Sequence, residues 1–584
     1  MPRRLLVAHF LRQLLDNDLI TPGADRHHAL SVSAAALVTA GTFLTVALSI
    51  KYAFNPVPSP AETALVALDD VCLMSGLSMI VLAIVALASW DRLSLDARDT
   101  AIMGPLPVPP RELAAAQLTA LALFAAVFSL VLNGLPSVLM PLVRLSKLHV
   151  SAVSILQLVA AQAAATIAAG VLGFVAIVAV RETLRLLIGP LWARGFSVAT
   201  QTALVVMTVI ALIGLPAASQ HVARVWVESD AKGTVPPPVL FAALCDWIGG
   251  SELERMPPTM PPPDSPAYEG ILRFERRTAV RYAQTRPRLA ALGMSGLRAL
   301  GTITLIALLT WGWHSRRLPQ EMPGGGRRRR WRFRLDLSIA RHQVTRAGIQ
   351  LTMQTLSRST PHRVVAAATL GIAVAATAIC VRSLAPGAAG ELTLSALAAQ
   401  TVFLLTILTG TWQACRVPAS LVAAPSFLLA WSGDAGRYVN GVRRAAMAGG
   451  MASVLVLLPL HIVMFGFVTA TWHAVFGLLI VGAVSTVLFS EGNGLPLVSP
   501  YEPSGNVVGL VPIYLAAAAV VVSGFAWIER ETLSATASSA VLALVLALVW
   551  GGLAFMNRGR DVASAPEAYE SASNWETQHL SLSE

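Results

Sequence analysis

Few residues in this chain have the type and spacing for chemistry. Asp69 and Asp70 stand side by side about one turn inside an apolar run at 64–89. A carboxylate in such a place is costly and by default functional. It would serve as general base or metal ligand in a transferase that uses lipid-phosphate sugars. Close to the end of its run, beside Glu62, the pair could instead simply be hydrated. Gly76-Leu-Ser78 with His461 in a later run would sketch a Ser–His dyad, or the stripe Ser75, Gly76 and Ser78 is a packing face. Gln157 and Gln162 would face a polar path or hydrogen-bond a neighbouring helix.

Other chemistries lack their residues. The chain has three lysines, Lys51, Lys147 and Lys232, and none follows glycine, so the Gly-Lys of a P-loop is missing. No His-Glu dipeptide is present, which removes the H-E-x-x-H zinc proteases. Four cysteines (Cys72, Cys245, Cys380 and Cys415) have no C-x-x-C spacing, so neither a disulfide framework nor a zinc site is expected.

The elements that must carry these residues are membrane helices. Of 584 residues, 55% are hydrophobic and 13% charged, against about 25% charged in soluble domains. A span needs about 20 apolar residues, because every backbone polar group in lipid must be satisfied within the segment. Twelve runs reach or approach that length: 30–54, 64–89, 113–133, 151–180, 197–217, 297–314, 362–384, 392–414, 442–465, 468–488, 507–527 and 535–556. The expected fold is therefore an all-α polytopic membrane protein of about twelve spans.

The net charge of +11 is concentrated locally. Twelve arginines lie between Ser315 and Arg363 against Glu321 and Asp336, so nucleic acid is not an expected partner and membrane lipid is. With the N-terminus inside, the short inner segments outside that linker carry sixteen Lys/Arg. The short outer loops carry three, Arg144, Lys147 and Arg530. The positive-inside rule then puts both termini in the cytoplasm and the long 218–296 loop outside.

Pro323-Gly-Gly-Gly-Arg-Arg-Arg-Arg330 divides the runs into two sets of six. The organisation is a cytoplasmic N-terminus at 1–29, a first membrane half at 30–314, a basic linker at 315–361, a second half at 362–556 and a polar tail at 557–584. An amphipathic stretch precedes each half. Leu6, Val7, Phe10, Leu11 and Leu14 oppose His9, Arg12, Gln13 and Asp16; Ala340, Val344, Ala347 and Leu351 oppose His342, Arg346 and Gln350. Such helices tend to lie in the headgroup plane. Between proline clusters in the outer loop, Val239–Ile248 reads as a short amphipathic helix on the membrane surface or over a pathway, and Arg273–Arg288 as a basic, solvated helix.

Two motifs carry a resemblance. Trp90-Asp-Arg-Leu-Ser-Leu-Asp-Ala-Arg-Asp-Thr-Ala-Ile-Met-Gly-Pro-Leu-Pro-Val-Pro-Pro-Arg-Glu-Leu113 resembles the loop after the second helix in permeases of type-2 ATP-binding cassette (ABC) exporters. Leu356-Ser-Arg-Ser-Thr-Pro-His-Arg363 is similar to the start of the second half in large bacterial fused permeases of this kind. The resemblance implies an exporter permease in the bacterial inner membrane. It would be no enzyme itself and hold no cofactor, with ATP and Mg on a separate cytoplasmic ATPase, two copies per chain. Asp91, Asp96, Asp99, Pro107 and Arg111 would form the ATPase-coupling loop, with Arg416 and Pro418 at the matching place in the second half. There, Ala419-Ser-Leu-Val-Ala-Ala-Pro-Ser-Phe427 departs from the family in lacking charged and amide residues. Two alternatives remain: an ion-coupled secondary transporter of the major-facilitator kind, and the lipid-linked glycosyltransferase built on Asp69 and Asp70. Substrate and direction of transport are not legible.

Overall fold

A computed structural model describes residues 3–15, 26–54, 60–93, 108–145, 152–219, 235–250, 268–317, 342–382, 392–417, 419, 435–490, 495–498 and 507–557. The chain is an all-α polytopic membrane protein, with no strand among the described residues. Among the described residues, ten helical segments are long and apolar enough to cross a membrane. The runs at 30–54 and 507–527 are helical too, within Arg26–Phe54 and Val507–Thr532. In the first of these the apolar stretch Leu37–Tyr52 is described. Asp96, Asp99, Pro107, Pro418, Ala340, the linker glycines and the tail after Asn557 lie outside the described residues.

The chain forms two compact units, residues 1–204 with 211–327, and residues 205–210 with 328–584. Unit 1 contains α1 (Arg3–Leu15), α2 (Arg26–Phe54), α3 (Pro60–Ala88), α4 (Pro110–Leu145), α5 (Ala152–Ser219) apart from its residues 205–210, α6 (Pro237–Gly249) and α7 (Tyr268–Arg317). In α1 the residues at helical spacing Leu6, Phe10 and Leu14 are buried, and α1 packs on α4.

Helix α5 holds two spans, Ile155–Ile188 and Phe196–Ser219. Gln162 touches Met74 of α3, and Leu215 meets Gly76 of the same helix. Those two α5 residues would be about 80 Å apart on a straight helix at 1.5 Å per residue. The chain therefore doubles back between the two spans. The first span approaches α3 at backbone distance: a Cβ on Gly173 would stand 2.1 Å from the Met79 carbonyl oxygen. Small residues permit this closeness, which is how helices gain packing where lipid supplies no hydrophobic drive.

The helix expected on the outer membrane surface or over a pathway is packed inside unit 1. Phe241, Ala242, Ala243 and Leu244 of α6 are buried, and the helix packs against α3, α5 and α7. A Cβ on Gly293 of α7 would lie 2.9 Å from Leu244 Cα, and Gly249 sits against Leu158 and Ala161. Its apolar residues run all round the helix, the pattern of a buried element. Helix α7 is a single 50-residue helix, about 75 Å long, whose Arg286–Trp313 stretch is the sixth span. Arg273, Arg276 and Arg277 in its leading part are exposed, matching a solvated face.

Unit 2 contains α8 (Gln343–Arg358), α9 (Thr360–Arg382), α10 (Leu394–Arg416), α11 (Ala435–Phe465), α12 (Phe467–Leu488), α13 (Val507–Thr532) and α14 (Thr536–Asn557). Helix α8 turns an unexpected face inward. Thr345, Gly348, Ile349, Thr352 and Thr355 are buried, Val344 and Leu351 are only half-buried, and Ala347 is exposed. The cause is a glycine pair: a Cβ on Gly348 would lie 2.6 Å from the Tyr438 carbonyl oxygen, and one on Gly441 2.4 Å from that of Thr345. Close backbone approach sets the contact, and Val344 and Leu351 pack at its edge against the cluster of Tyr438 and Val442. Gly466, at φ +80° and ψ 165°, joins α11 to α12, a conformation essentially reserved for glycine.

Candidate functional site

The second span of unit 1 ends in a short helical turn, Trp90–Arg92, at the start of the expected coupling loop. Three connections hold it. Trp90 Nε1 donates to Ser197 Oγ at 2.8 Å, the Arg92 guanidinium donates to the Gln13 carbonyl of α1, and Gln201 Nε2 donates to the Leu87 carbonyl at 3.0 Å. Beneath the turn lies a buried ion pair, Arg181 Nη1 to Glu182 Oε1 at 2.7 Å, with Arg185 Nη1 3.8 Å from the same oxygen. The Arg181 guanidinium stands 5.8 Å from the Trp90 ring centroid. Arg181 had been read as one more charge of an inner loop; Thr183 and Leu184 continue the helix past it, so the pair is packed inside. Asp91 is exposed on the turn, and Arg111 is exposed at the start of α4, directly after Pro110.

At the corresponding place in unit 2, Arg416 closes α10 and its guanidinium covers the Trp412 ring at 4.9 Å. His362, from the Leu356–Arg363 motif, is buried. Its Nε2–H donates to the Val417 carbonyl at 2.9 Å while Nδ1 accepts from Ser359 Oγ at 2.8 Å. The backbone beyond α10 is held again by Leu497, whose N–H donates to the Cys415 carbonyl at 2.7 Å and whose carbonyl accepts from Ala419 at 2.8 Å. Tyr438 Oη donates to the Pro496 carbonyl.

The two aspartates differ from the expectation of a hydrated pair. Helix α3 begins at Pro60, so Asp70 lies in its third turn, about 15 Å along the axis. Asp70 is buried; Oδ1 accepts from Lys51 Nζ at 2.8 Å and Oδ2 from Tyr52 Oη at 2.5 Å. Asp69 is half-buried. With both oxygens of Asp70 engaged between α2 and α3, its observed role is an interhelical ion pair. Lys51 is 43% exposed and its partner 3%, so the two truncations are unequal. Lys51→Met leaves a buried carboxylate short of its cation, whereas Asp70→Asn leaves an ammonium that reaches water. We expect the first to lower the unfolding midpoint of purified protein by more than the second.

The glutamines bond neighbouring helices. Gln157 Nε2 donates to the Ile248 carbonyl at 2.9 Å, and Gln162 Nε2 lies 3.2 Å from Met74 Sδ. Gln162 also borders a cavity of about 30 Å³ with Leu68, Leu158, Cys245 and Asp246. That volume admits one or two water molecules and falls far short of the ~300 Å³ or more of a small-molecule pocket. Ser78 is likewise a packing residue, donating to the Thr166 carbonyl and accepting from Asn133 Nδ2, each at 2.8 Å. His461 belongs to unit 2, edge to face with His473.

Sequence reasoning missed Arg181, Glu182, His473 and Glu529. The signal available for Glu529 was its place two residues past the apolar run ending at Trp527. Among the described residues no three His, Cys, Asp or Glu side chains form a group able to hold a metal ion. Compared with protein-family models, curated proteins and solved structures, the chain matches none.

Proposed function

We propose that this chain is the permease of an ABC-type exporter of the bacterial inner membrane. It lines the pathway for a substrate whose movement is driven by separate cytoplasmic ATPase subunits, one for each unit. The observation that carries this reading is the tethering of the segment after the second span in each unit. In unit 1 the Trp90–Arg92 turn is fixed to α1 and α5; in unit 2 Val417 is fixed to the start of α9 through His362. A loop that passes force from a motor to helices must be rigidly joined to them, because a compliant joint dissipates the motion before the bundle switches. Asp91 and Arg111 are exposed at the two ends of the first loop. Hydrolysis belongs on that partner, since no Gly-Lys exists here to hold the β- and γ-phosphates.

The test is purification of the tagged full-length chain from its own membranes, with and without a non-hydrolysable ATP analogue. We expect a Walker-A ATPase to co-purify, at two copies per permease, and its hydrolysis to change when the complex is reconstituted in lipid. Substrate transport in vesicles energised by an ion gradient alone, with no ATPase chain present, would overturn the reading in favour of a secondary transporter.

A further inference from the structure

The break at Gly466 assembles ionisable groups that the transport reading leaves without a task. Glu529 of α13 and His473 of α12 are both 0% exposed and hydrogen-bond to each other, Oε1 to Nδ1. His461 of α11 lies across the break, its ring edge to face with that of His473 at 4.7 Å between centroids. Phe465 closes the group, 5.9 Å from one imidazole and 5.7 Å from the other. Gln400 of α10 holds His473 by the backbone, Nε2 donating to its carbonyl at 2.8 Å.

Within this group His473 Nε2, Glu529 Oε2, His461 Nδ1 and Gln400 Oε1 are buried without a hydrogen-bond partner. Each unmet polar group costs about 1–3 kcal/mol in apolar surroundings, and ionisable residues retained inside a membrane bundle mark ion or proton pathways. The helices packed on the pair offer no compensating cation. Helix α14 contains no ionisable side chain, and α10 presents Gln400, with Cys415 and Arg416 far away at its other end. Helix α11 presents His461, with Arg437, Tyr438, Arg443 and Arg444 at its other end. Arg530 and Glu531 of α13 are exposed.

We propose that Glu529 and His473 form a proton-binding site, holding one exchangeable proton that His461 relays to and from water. With the proton bound, the pair is neutral overall, either as imidazolium with carboxylate or as imidazole with carboxylic acid. Without it, the pair carries one negative charge. Uptake forms an N–H or O–H bond on the pair, and release returns the same proton through His473 Nε2 to His461. A metal ion is the weaker occupant, because only one carboxylate and two rings are present and the rings meet edge to face instead of converging. The site stands whether ATP or a gradient drives transport.

The experiment is a pH titration of the full-length protein in lipid nanodiscs, without nucleotide or ATPase, followed by infrared difference spectroscopy of ¹³C-carboxyl-labelled glutamate. Among the carboxyl transitions of the 18 labelled glutamates, we expect one that Glu529→Gln abolishes. His461→Phe, which keeps the ring packing, should retain the transition and slow its exchange after a pH jump. If Glu529→Gln fails to fold, ¹⁵N-histidine resonances of the wild type report the same event: His473 and His461 shifting together with pH support the site. If the wild-type and Glu529→Gln transitions are the same, the pair is a fixed structural ion pair and the proposal is overturned. Because neither ATPase nor substrate is present, that failure leaves the exporter reading untouched.

Discussion

Glu182→Ala is expected to be the most damaging single substitution in unit 1, lowering stability by about 3–5 kcal/mol, the usual cost of breaking a buried ion pair from one side. Glu182 is buried with Arg181 7% exposed, and the carboxylate also faces Arg185 at 3.8 Å. Removing it leaves a guanidinium beneath Trp90 without the carboxylate it is hydrogen-bonded to. The turn at Trp90–Arg92 rests on that guanidinium, so its fixation should loosen at the same time. The double variant Arg181→Met/Glu182→Met removes both charges and keeps the volume, and buried pairs replaced in this way often cost little. Thermal unfolding of purified protein in nanodiscs checks both. If the double variant is as unstable as the single, the pair acts through shape and not through charge.

His362→Ala is expected to leave the bundle folded and uncouple the second unit. The lost Nε2–H bond strips the Val417 carbonyl of its 2.9 Å donor and frees Ser359 Oγ. An unmet carbonyl of this kind costs about 1–2 kcal/mol, enough to cut the population of the docked arrangement about tenfold. The readout is the hydrolysis rate of the co-purified ATPase when reconstituted with the variant. His362→Gln places an amide donor near the Nε2 position and should restore most of the effect, while a merely space-filling residue such as Leu should not. Equal activity of all three would show that the segment after α10 is not a coupling element.

Most of the membrane helices could be read from sequence because lipid imposes a length and a composition on every span. The inward face of α1 was equally legible: Leu6, Phe10 and Leu14 repeat at helical spacing and are buried. Helix α8 shows where that logic stops. Its apolar residues Val344, Ala347 and Leu351 were expected to face the headgroup plane, yet the helix packs on α11 through Thr345, Gly348 and Thr352, with Val344 and Leu351 at the edge of that contact, because the Gly348 and Gly441 pair lets the two backbones meet. The same reason hid α6, whose buried position depends on Gly293 and Gly296 of a helix some 50 residues later. Asp70 was recognised as unusual, but its partners Lys51 and Tyr52 come from a different helix and carry no periodic signal. Arg181, Glu182, His473 and Glu529 lie near span ends, where neither span length nor the Lys/Arg count places them inside the bundle. Only the packing of neighbouring helices does so.

The central claim is a permease whose motor is another chain. A photo-crosslinking residue placed at Asp91 or Arg111, both exposed and both beside the proposed docking loop, tests it most directly in intact native membranes. The account predicts a covalent adduct with a nucleotide-binding ATPase, stronger at these positions than at an exposed site on α7 such as Arg276, and altered by the nucleotide state. Adducts limited to lipid or to the chain itself at both positions, in every nucleotide state, would contradict it.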